Sequence, residues 1–391
     1  MGPDRGHGRV MATARLVAAL LLGTALTGCV ERGPDSVPRT PSTETVMSAP
    51  SAEAVVGRSD TTLLLRGRPW WPAGFNAPQL ATKWAINIGC GAQVDLDDYF
   101  GKLPPNALTR VGIFQALAVD KSTGRLDFSA ADAVFAAAQR HGQLILPVLV
   151  PQNGDCDDQV FKQRQWYVRG WTETTPVPGR TVLSTRDWII AAVNRWRSSP
   201  VLAGWEVVGE PEPSLCGAGN CSERARSCPR DAAAVLRRFM DESGALIRSL
   251  DPHRLIFAGF IGGGQCGTAG TDFADVGMSP QIDVLEYHDY SDDDVALPGD
   301  QRDGLATRLR QARALGKPLL VAEIGMHAGS CRSLAERRDS IGASLSGQRA
   351  AGSAGALIWA FVPDPRPEEC TFDVGPDDPL WSLVAERITL G

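Results

Sequence analysis

The chain of 391 residues carries 39 lysines and arginines against 45 aspartates and glutamates, a formal net charge of −6. This acidic balance argues against nucleic acid as a partner, and the length is ample for one large domain. Residues 1–28 hold Asp4 against Arg5, Arg9 and Arg15, a net +2, so their removal would leave the remainder at −8.

In chain order, the three arginines precede an apolar segment, 16–26, that ends in Leu26-Thr27-Gly28-Cys29. A basic stretch followed by a short apolar one has the form of a secretory signal, and the segment is too short to span a bilayer comfortably as a permanent helix. Leu-Thr-Gly-Cys resembles the bacterial lipobox. That resemblance implies cleavage after Gly28, lipidation of Cys29 and a chain held on the outer face of the bacterial cytoplasmic membrane. Residues 29–60 are rich in Pro, Ser, Thr and Gly, cannot offset the entropy of ordering, and are expected to form a flexible tether. Residues 61–391 are expected to form a single folded domain.

From Thr61 onward, short apolar or β-branched runs alternate with segments of helical period, the pattern of parallel strands joined by helices. Candidate strands cover 70–75, 108–114, 144–150, 204–208, 255–260, 282–287, 318–324 and 355–361. Eight of them predict an α/β chain closed into a (β/α)8 barrel. Ser129 is expected to cap a helix running to Gln139, with Gly142 as its stop. Val235, Phe239, Leu246 and Leu250 share one face of a helix opened by Pro229 and closed before Asp251-Pro252, and Leu305, Leu309 and Ala312, then Leu334, Ile341 and Leu345, repeat the spacing. A doubly wound open sheet uses the same alphabet but commonly places a GxGxxG phosphate loop after its first strand; here that position reads Gly74-Phe75-Asn76. The Gly262-Gly263-Gly264 run follows a later strand and reads as a loop.

Apart from Cys29, the cysteines are Cys90, Cys156, Cys216, Cys221, Cys228, Cys266, Cys331 and Cys370, an even number that in an exported chain favours disulfides. All fall after a strand and before, or at the start of, the next helix. In a barrel those segments share the catalytic face, where cross-links would pin long loops. Spacing alone leaves the pairing open. Cys216, Cys221 and Cys228 also admit a zinc site, which the lack of a CxxC pair disfavours, and no metal or other cofactor is expected.

The stretch GWEVVGEPEP, 204–213, ends an apolar run in a carboxylate, Glu210, and PLLVAEI, 318–324, does the same at Glu323. An ionised group so placed is costly unless the site uses it. A lone glutamate there is as readily a structural ion pair as a catalyst. Two that face one pocket are what glycoside hydrolysis needs, one to protonate the departing oxygen and the other to attack the anomeric carbon or activate water.

Residues 205–211, Trp-Glu-Val-Val-Gly-Glu-Pro, resemble the W-E-L-x-N-E-P signature of clan A glycoside hydrolases, above all family 5 with its cellulases and mannanases. Ala73-Gly74-Phe75-Asn76 is similar to that family's first-strand G-x-N, and Thr109-Arg110-Val111 to its second-strand segment with a buried arginine. Asp251-Pro252-His253-Arg254 resembles its D-P-x-R link, His288-Asp289-Tyr290 its H-x-Y pair, and 317–325 its P-x-x-x-x-E-x-G. The similarity covers most of residues 61–365 in the family's order. It implies a retaining hydrolase with Glu210 as general acid/base and Glu323 as nucleophile. It further implies that Arg110, His288 and Tyr290 hold Glu323 ionised and that Trp359 floors the sugar subsite. Glu210 would need a raised pKa to arrive protonated. The implied substrate is a β-linked polysaccharide or oligosaccharide.

Two positions depart from that pattern. Gly209 stands where the family has an asparagine that contacts the sugar's 2-hydroxyl, and Val150-Pro151-Gln152-Asn153 stands where it usually has a histidine. An amide from Gln152, Asn153 or Asn76 is expected to replace a lost contact. The departures keep two alternatives open: an inactive, lipid-anchored glycan-binding barrel, and an exo-glycosidase acting on arabinofuranosides or similar short sugars. Trp71, beside Trp70, and the Trp166, Tyr167 and Trp171 group are candidate sugar platforms, whereas Trp188, Trp196 and Trp381 read as packing residues. Asp289 and Asp292–Asp294 read as a solvated acidic loop, with calcium a minor alternative because the EF-hand glycine and spacing are missing.

Overall fold

The structure, a computed structural model, describes residues 55–87, 90, 93–173, 176–292 and 294–389. Strands β1 (Ala73–Phe75), β2 (Leu108–Gly112), β3 (Leu144–Pro151), β4 (Gly204–Gly209), β5 (Leu255–Phe257), β6 (Leu285–Asp289), β7 (Leu319–Ile324) and β8 (Ala356–Ile358) are each followed by a helix. These are α1 (Leu96–Gly101), α2 (Ser129–Arg140), α3 (Thr185–Trp196), α4 (Ala232–Leu250), α5 (Asp272–Gly277), α6 (Leu305–Ala314), α7 (Leu334–Ala350) and α8 (Leu380–Thr389). The strands pair in parallel as β5-β4-β3-β2 and β6-β7-β8-β1. Parallel bridges Phe257↔Val284 and Asn76↔Arg110 join the two sheets, so the ring closes. The chain is the expected (β/α)8 barrel. Its strands read as near-continuous apolar runs because both their faces are covered, by the lumen on one side and the helices on the other.

The lower lumen is filled by Leu108, Leu144, Leu146, Leu255, Leu320 and Leu357. Val56, Leu63 and Leu65 join that cluster from a hairpin, Val56–Ser59 paired antiparallel with Thr62–Leu65, that plugs the end of the barrel opposite the catalytic face. Folded structure therefore reaches back into the stretch 29–60 read as tether. The apolar pair Val55-Val56 was too short to stand out from its polar surroundings, and its value depends on Leu63 and Leu65 meeting it across the turn at Asp60. The export segment, Cys29 and the rest of the tether lie outside the described residues.

Four local expectations change. Trp70 and Trp71 precede β1 rather than belonging to it, since Pro72 has no N–H to donate to a ladder. Ser129 is the first residue of α2 and Phe128 its cap position, and Asp127 accepts from the Ser129 N–H at 2.8 Å. The inner face of α4 is Leu236, Phe239, Met240, Ser243 and Ile247, a stripe rotated from the one expected, with Val235, Leu246 and Leu250 only partly buried. The acidic run is also not uniformly solvated: Asp289 is buried against Gln348, Asp292 binds His327 at 2.9 Å, and Asp293 lies outside the described residues.

Candidate active site

Glu323 is the penultimate residue of β7 and is nearly inaccessible, its side chain 4% exposed. Arg110, on β2, donates from Nη1 to Glu323 Oε1 at 2.6 Å and to Asn76 Oδ1 at 2.9 Å. Its Nε and Nη2 clamp Glu206 of β4 in a bidentate pair, both at 2.7 Å. The Tyr290 hydroxyl donates to the other oxygen, Glu323 Oε2. A buried carboxylate survives such burial only when its lone pairs are filled by charged or polar donors, and here both oxygens are held.

Glu210 follows β4 directly, in a left-handed conformation at φ 65° fixed by its N–H donating to Gly259 O at 2.8 Å. A side chain with a Cβ adopts that conformation at some cost, and such strain collects at functional sites. The carboxylate is 41% exposed. His288, fully buried, reaches it from β6 with Nδ1 2.9 Å from Glu210 Oε1 and 3.3 Å from Glu323 Oε2. A register slip between Tyr287 and His288 sets His288 opposite Glu323 on the neighbouring strand. His288 Nε2 is buried and without a hydrogen-bond partner among the described residues, so the ring meets both carboxylates through Nδ1, which carries the proton it donates. The ligand atoms of Glu210, His288 and Glu323 all lie within 4.8 Å of one another. This trio is also where a cation would sit, on the same atoms the carboxylate chemistry needs.

The protonation balance runs opposite to the expected one. Burial pushes the Glu323 carboxyl above its ordinary range, outweighing the help of His288, Arg110 and Tyr290. Burial also raises Glu210, but the His288 hydrogen bond and charge, with Arg110 and Arg226, overcome it and hold its carboxyl low. The physical reason is the His288 hydrogen bond, made to Glu210 at 2.9 Å, set against the deeper burial of Glu323. Beneath them Glu286 of β6, fully buried, is pushed far above the carboxylate range by burial and by the Glu206 charge.

The two glutamates open into a cleft of ≈ 470 Å³ whose walls include Arg110, Tyr290, Trp359, Phe114 and Phe372. Of the expected amides, none is free to replace the missing asparagine. Asn76 accepts from Arg110 and donates to Ala322 O at 2.8 Å. Gln152 lines the cleft, as Asn76 and Asn153 do, but its amide donates to the Lys162 and Glu212 carbonyls and accepts from Glu212 N and Tyr167, so it ties loops together. Asn153 is exposed on the rim and closes a local turn with Asp155. Trp71 is excluded from the site because residues before a strand lie at the opposite end of the barrel. Its indole N–H donates to Ser353 O at 3.0 Å and Arg349 covers its ring. Trp166, Tyr167 and Trp171 pack their rings around Phe239 at 5.5, 5.1 and 5.6 Å, a loop core rather than a platform.

Sequence reasoning missed Glu206 and Glu286. Both are acids inside apolar strands, the very signal that marked Glu210 and Glu323. Phe114, read as the end of a strand that stops at Gly112, and Phe372 were missed for a different reason: an aromatic residue beyond a strand end carries no sign of which way it points. The cysteines pair as Cys90–Cys156, Cys216–Cys221, Cys228–Cys266 and Cys331–Cys370, which leaves no thiolates for zinc at 216–228. Three of the four cross-link successive or nearby loops around the mouth.

The chain matches no family profile. It is 27% identical over 252 residues to the probable mannan endo-1,4-beta-mannosidase F of Aspergillus flavus, an alignment spanning 61% of this chain and 49% of that one. To mannan endo-1,4-beta-mannosidase 3 of Arabidopsis thaliana it is 24% identical over 375 residues, 80% of this chain and 83% of that one. The chain thus spans about half the length of the Aspergillus relatives it matches. Among solved structures, the endo-1,4-beta-mannanase from Rhizomucor miehei superposes with a TM-score of 0.61 at 16% identity, over 86% of this chain and 100% of that one. A glycoside hydrolase family 5 mannosidase from the same organism gives 0.55 at 15% identity, over 87% and 97%. The chain has the fold of these mannanases. At such identities the likeness establishes the barrel and leaves the chemistry to the site.

Proposed function

We propose that the protein is a retaining β-glycoside hydrolase that cleaves within β-1,4-mannan or a closely related polysaccharide. One observation carries the reading: Glu210 after β4 and Glu323 on β7 each bring one carboxylate oxygen, with a ring nitrogen of His288, within 4.8 Å of one another. Retaining hydrolases hold their carboxyls about 5–5.5 Å apart, whereas inverting ones leave about 6.5–9.5 Å for a water. Glu323 attacks the anomeric carbon while Glu210 gives its proton to the departing glycosidic oxygen. Water then enters, Glu210 takes its proton, and the glycosyl–Glu323 bond breaks. Arg110 and Tyr290 fix the attacking carboxylate, and Trp359 offers a flat apolar face to the ring of the bound sugar. A sugar laid over Glu210 strips its water, which reverses the resting balance and raises its pKa toward that of a proton donor. The mannan assignment draws on the names of the relatives.

Gly209 bears on specificity. A Cβ there would lie 3.2 Å from Arg110 Nη2 and 3.2 Å from Val148 Cγ1, so the space the missing side chain leaves borders a guanidinium donor. We further propose export and anchoring through lipidated Cys29. That reading draws on residues 1–29 alone, the relatives being fungal and plant proteins. Mass spectrometry of the mature N-terminus tests it: a diacylglyceryl Cys29 is expected, and an unmodified or uncut chain refutes it.

The hydrolase reading is tested by incubating the folded domain with β-mannan, β-glucan and arabinofuranoside panels and following the anomer first released. Endo-cleavage of mannan with a β-anomeric product is expected. Release of single sugars would favour the exo alternative, and binding without turnover would leave a glycan-binding barrel.

A further inference from the structure

One buried acid has no part in the carboxylate chemistry. Glu286, on β6 two residues before His288, is fully buried, and its Oε1 has no hydrogen-bond partner among the described residues. Its Oε2 accepts from the backbone N–H of Gly259. Arg110 directs its hydrogen bonds to Glu206, Asn76 and Glu323, so Glu286 is not there to complete an ion pair. Taking a carboxyl out of water for one acceptor bond is costly. What that bond secures is therefore the question.

Gly259 follows β5 in a left-handed conformation at φ 70°, and its two backbone polar groups are divided between the neighbouring strands. Its N–H goes to the Glu286 side chain on β6, and its carbonyl accepts at 2.8 Å from the N–H of Glu210, just past β4. The second of these bonds is the one that fixes Glu210 at φ 65°. A Cβ at position 259 would run into the Val208 carbonyl oxygen and lie 3.1 Å from Glu206 Oε1, so only glycine fits there. Strand β6 thus reaches Glu210 twice: His288 meets its carboxylate directly, and Glu286 holds its backbone through Gly259. Without an acceptor on Glu286, the buried Gly259 N–H would be left unpaired. The segment would shift to satisfy it, and the Glu210 N–H would lose its anchor.

Resting on the hydrolase reading above, we propose that Glu286 is a positioning residue for the acid/base Glu210, acting through the Gly259 backbone. Two variants of the full chain test it: Glu286→Leu fills the space without an acceptor, and Glu286→Gln keeps an acceptor oxygen while removing the acid. In amide hydrogen exchange, the Gly259 and Glu210 N–H groups of the leucine chain are expected to exchange about tenfold faster or more, with the interior of β4 unchanged, and those of the glutamine chain to stay protected. For the leucine chain, kcat/KM on β-mannan should fall about 10–100-fold. On a dinitrophenyl β-mannobioside, whose leaving group needs no proton, it should stay within about threefold. The glutamine chain should stay within about threefold on both substrates. Unchanged exchange at Glu210 in the leucine chain, lost protection in the glutamine chain, or equal losses on the two substrates overturns the proposal. Glu286→Met is read in the same way if the leucine chain does not fold, and the glutamine chain needs neither. Should the unsubstituted protein hydrolyse neither substrate, the hydrolase reading fails, and exchange at Glu210 decides by itself whether Glu286 holds that backbone.

Discussion

The two glutamates of the candidate site stand at the ends of apolar strands, yet the walls that hold them differ in kind. Glu323 is 4% exposed and gripped on both oxygens, by Arg110 from β2 and Tyr290 from the loop after β6. Glu210 is 41% exposed, and His288 Nδ1 is the partner that reaches its carboxylate at 2.9 Å. The first wall is a buried charge network laid into the strands themselves. The second is a strand end surrounded by loops that disulfides keep in place. A group that must attack a defined carbon gains from immobility, whereas a group that must give up a proton and later take one gains from an environment that ligand and water can change.

Substituting the two acids gives the largest expected effects. Glu323→Gln should abolish hydrolysis of every substrate, by on the order of 10⁴-fold or more. Glu210→Gln should cost about 10²–10⁴-fold on a polysaccharide, and far less on an aryl glycoside whose leaving group needs no proton. Equal losses on both substrates would contradict the division of roles. On the fixed wall, Arg110→Met strands Glu206 and Glu323 without their cation. A loss of about 3–5 kcal/mol is expected in urea unfolding, as for a broken buried ion pair; a change below about 1 kcal/mol would mean the network does not bear on stability.

A milder probe of the same wall is Gly209→Ala. Arg110 is held by four hydrogen bonds and cannot give way easily, so the added methyl should destabilise by about 1–3 kcal/mol. Normal stability together with normal activity would show that the space is idle. The smallest effect is in the pH profile of the responsive wall. In the free protein Glu210 is held low and loses its proton early, so the basic limb of kcat/KM should lie at lower pH than the basic limb of kcat, where bound sugar has displaced water and raised it. Coincident limbs would indicate that the ligand leaves the Glu210 environment unchanged.

Much of this molecule was legible before any coordinates. Unbroken apolar strands such as 144–150 and 318–324 mark a sheet covered on both faces, and a glutamate breaking such a run at its end marks the catalytic face. The plug hairpin was not legible, because Val56 becomes informative only once Leu63 and Leu65 lie across from it in the lumen. Nor were the roles of Asn76 and Gln152. An amide in a promising position offers both donor and acceptor, and nothing along the chain says whether neighbours will claim them.

By itself, then, the sequence determined the barrel, the strand ends that carry Glu210 and Glu323, and the gathering of the cysteines at one mouth, since period, apolarity and chain order are local properties. The pairing of those cysteines, the bidentate claim of Glu206 on Arg110, the turning of His288 toward both acids and the inverted proton affinities of the two glutamates were decided only by tertiary structure. Each depends on distances between segments far apart in the chain and on how much water their packing leaves behind.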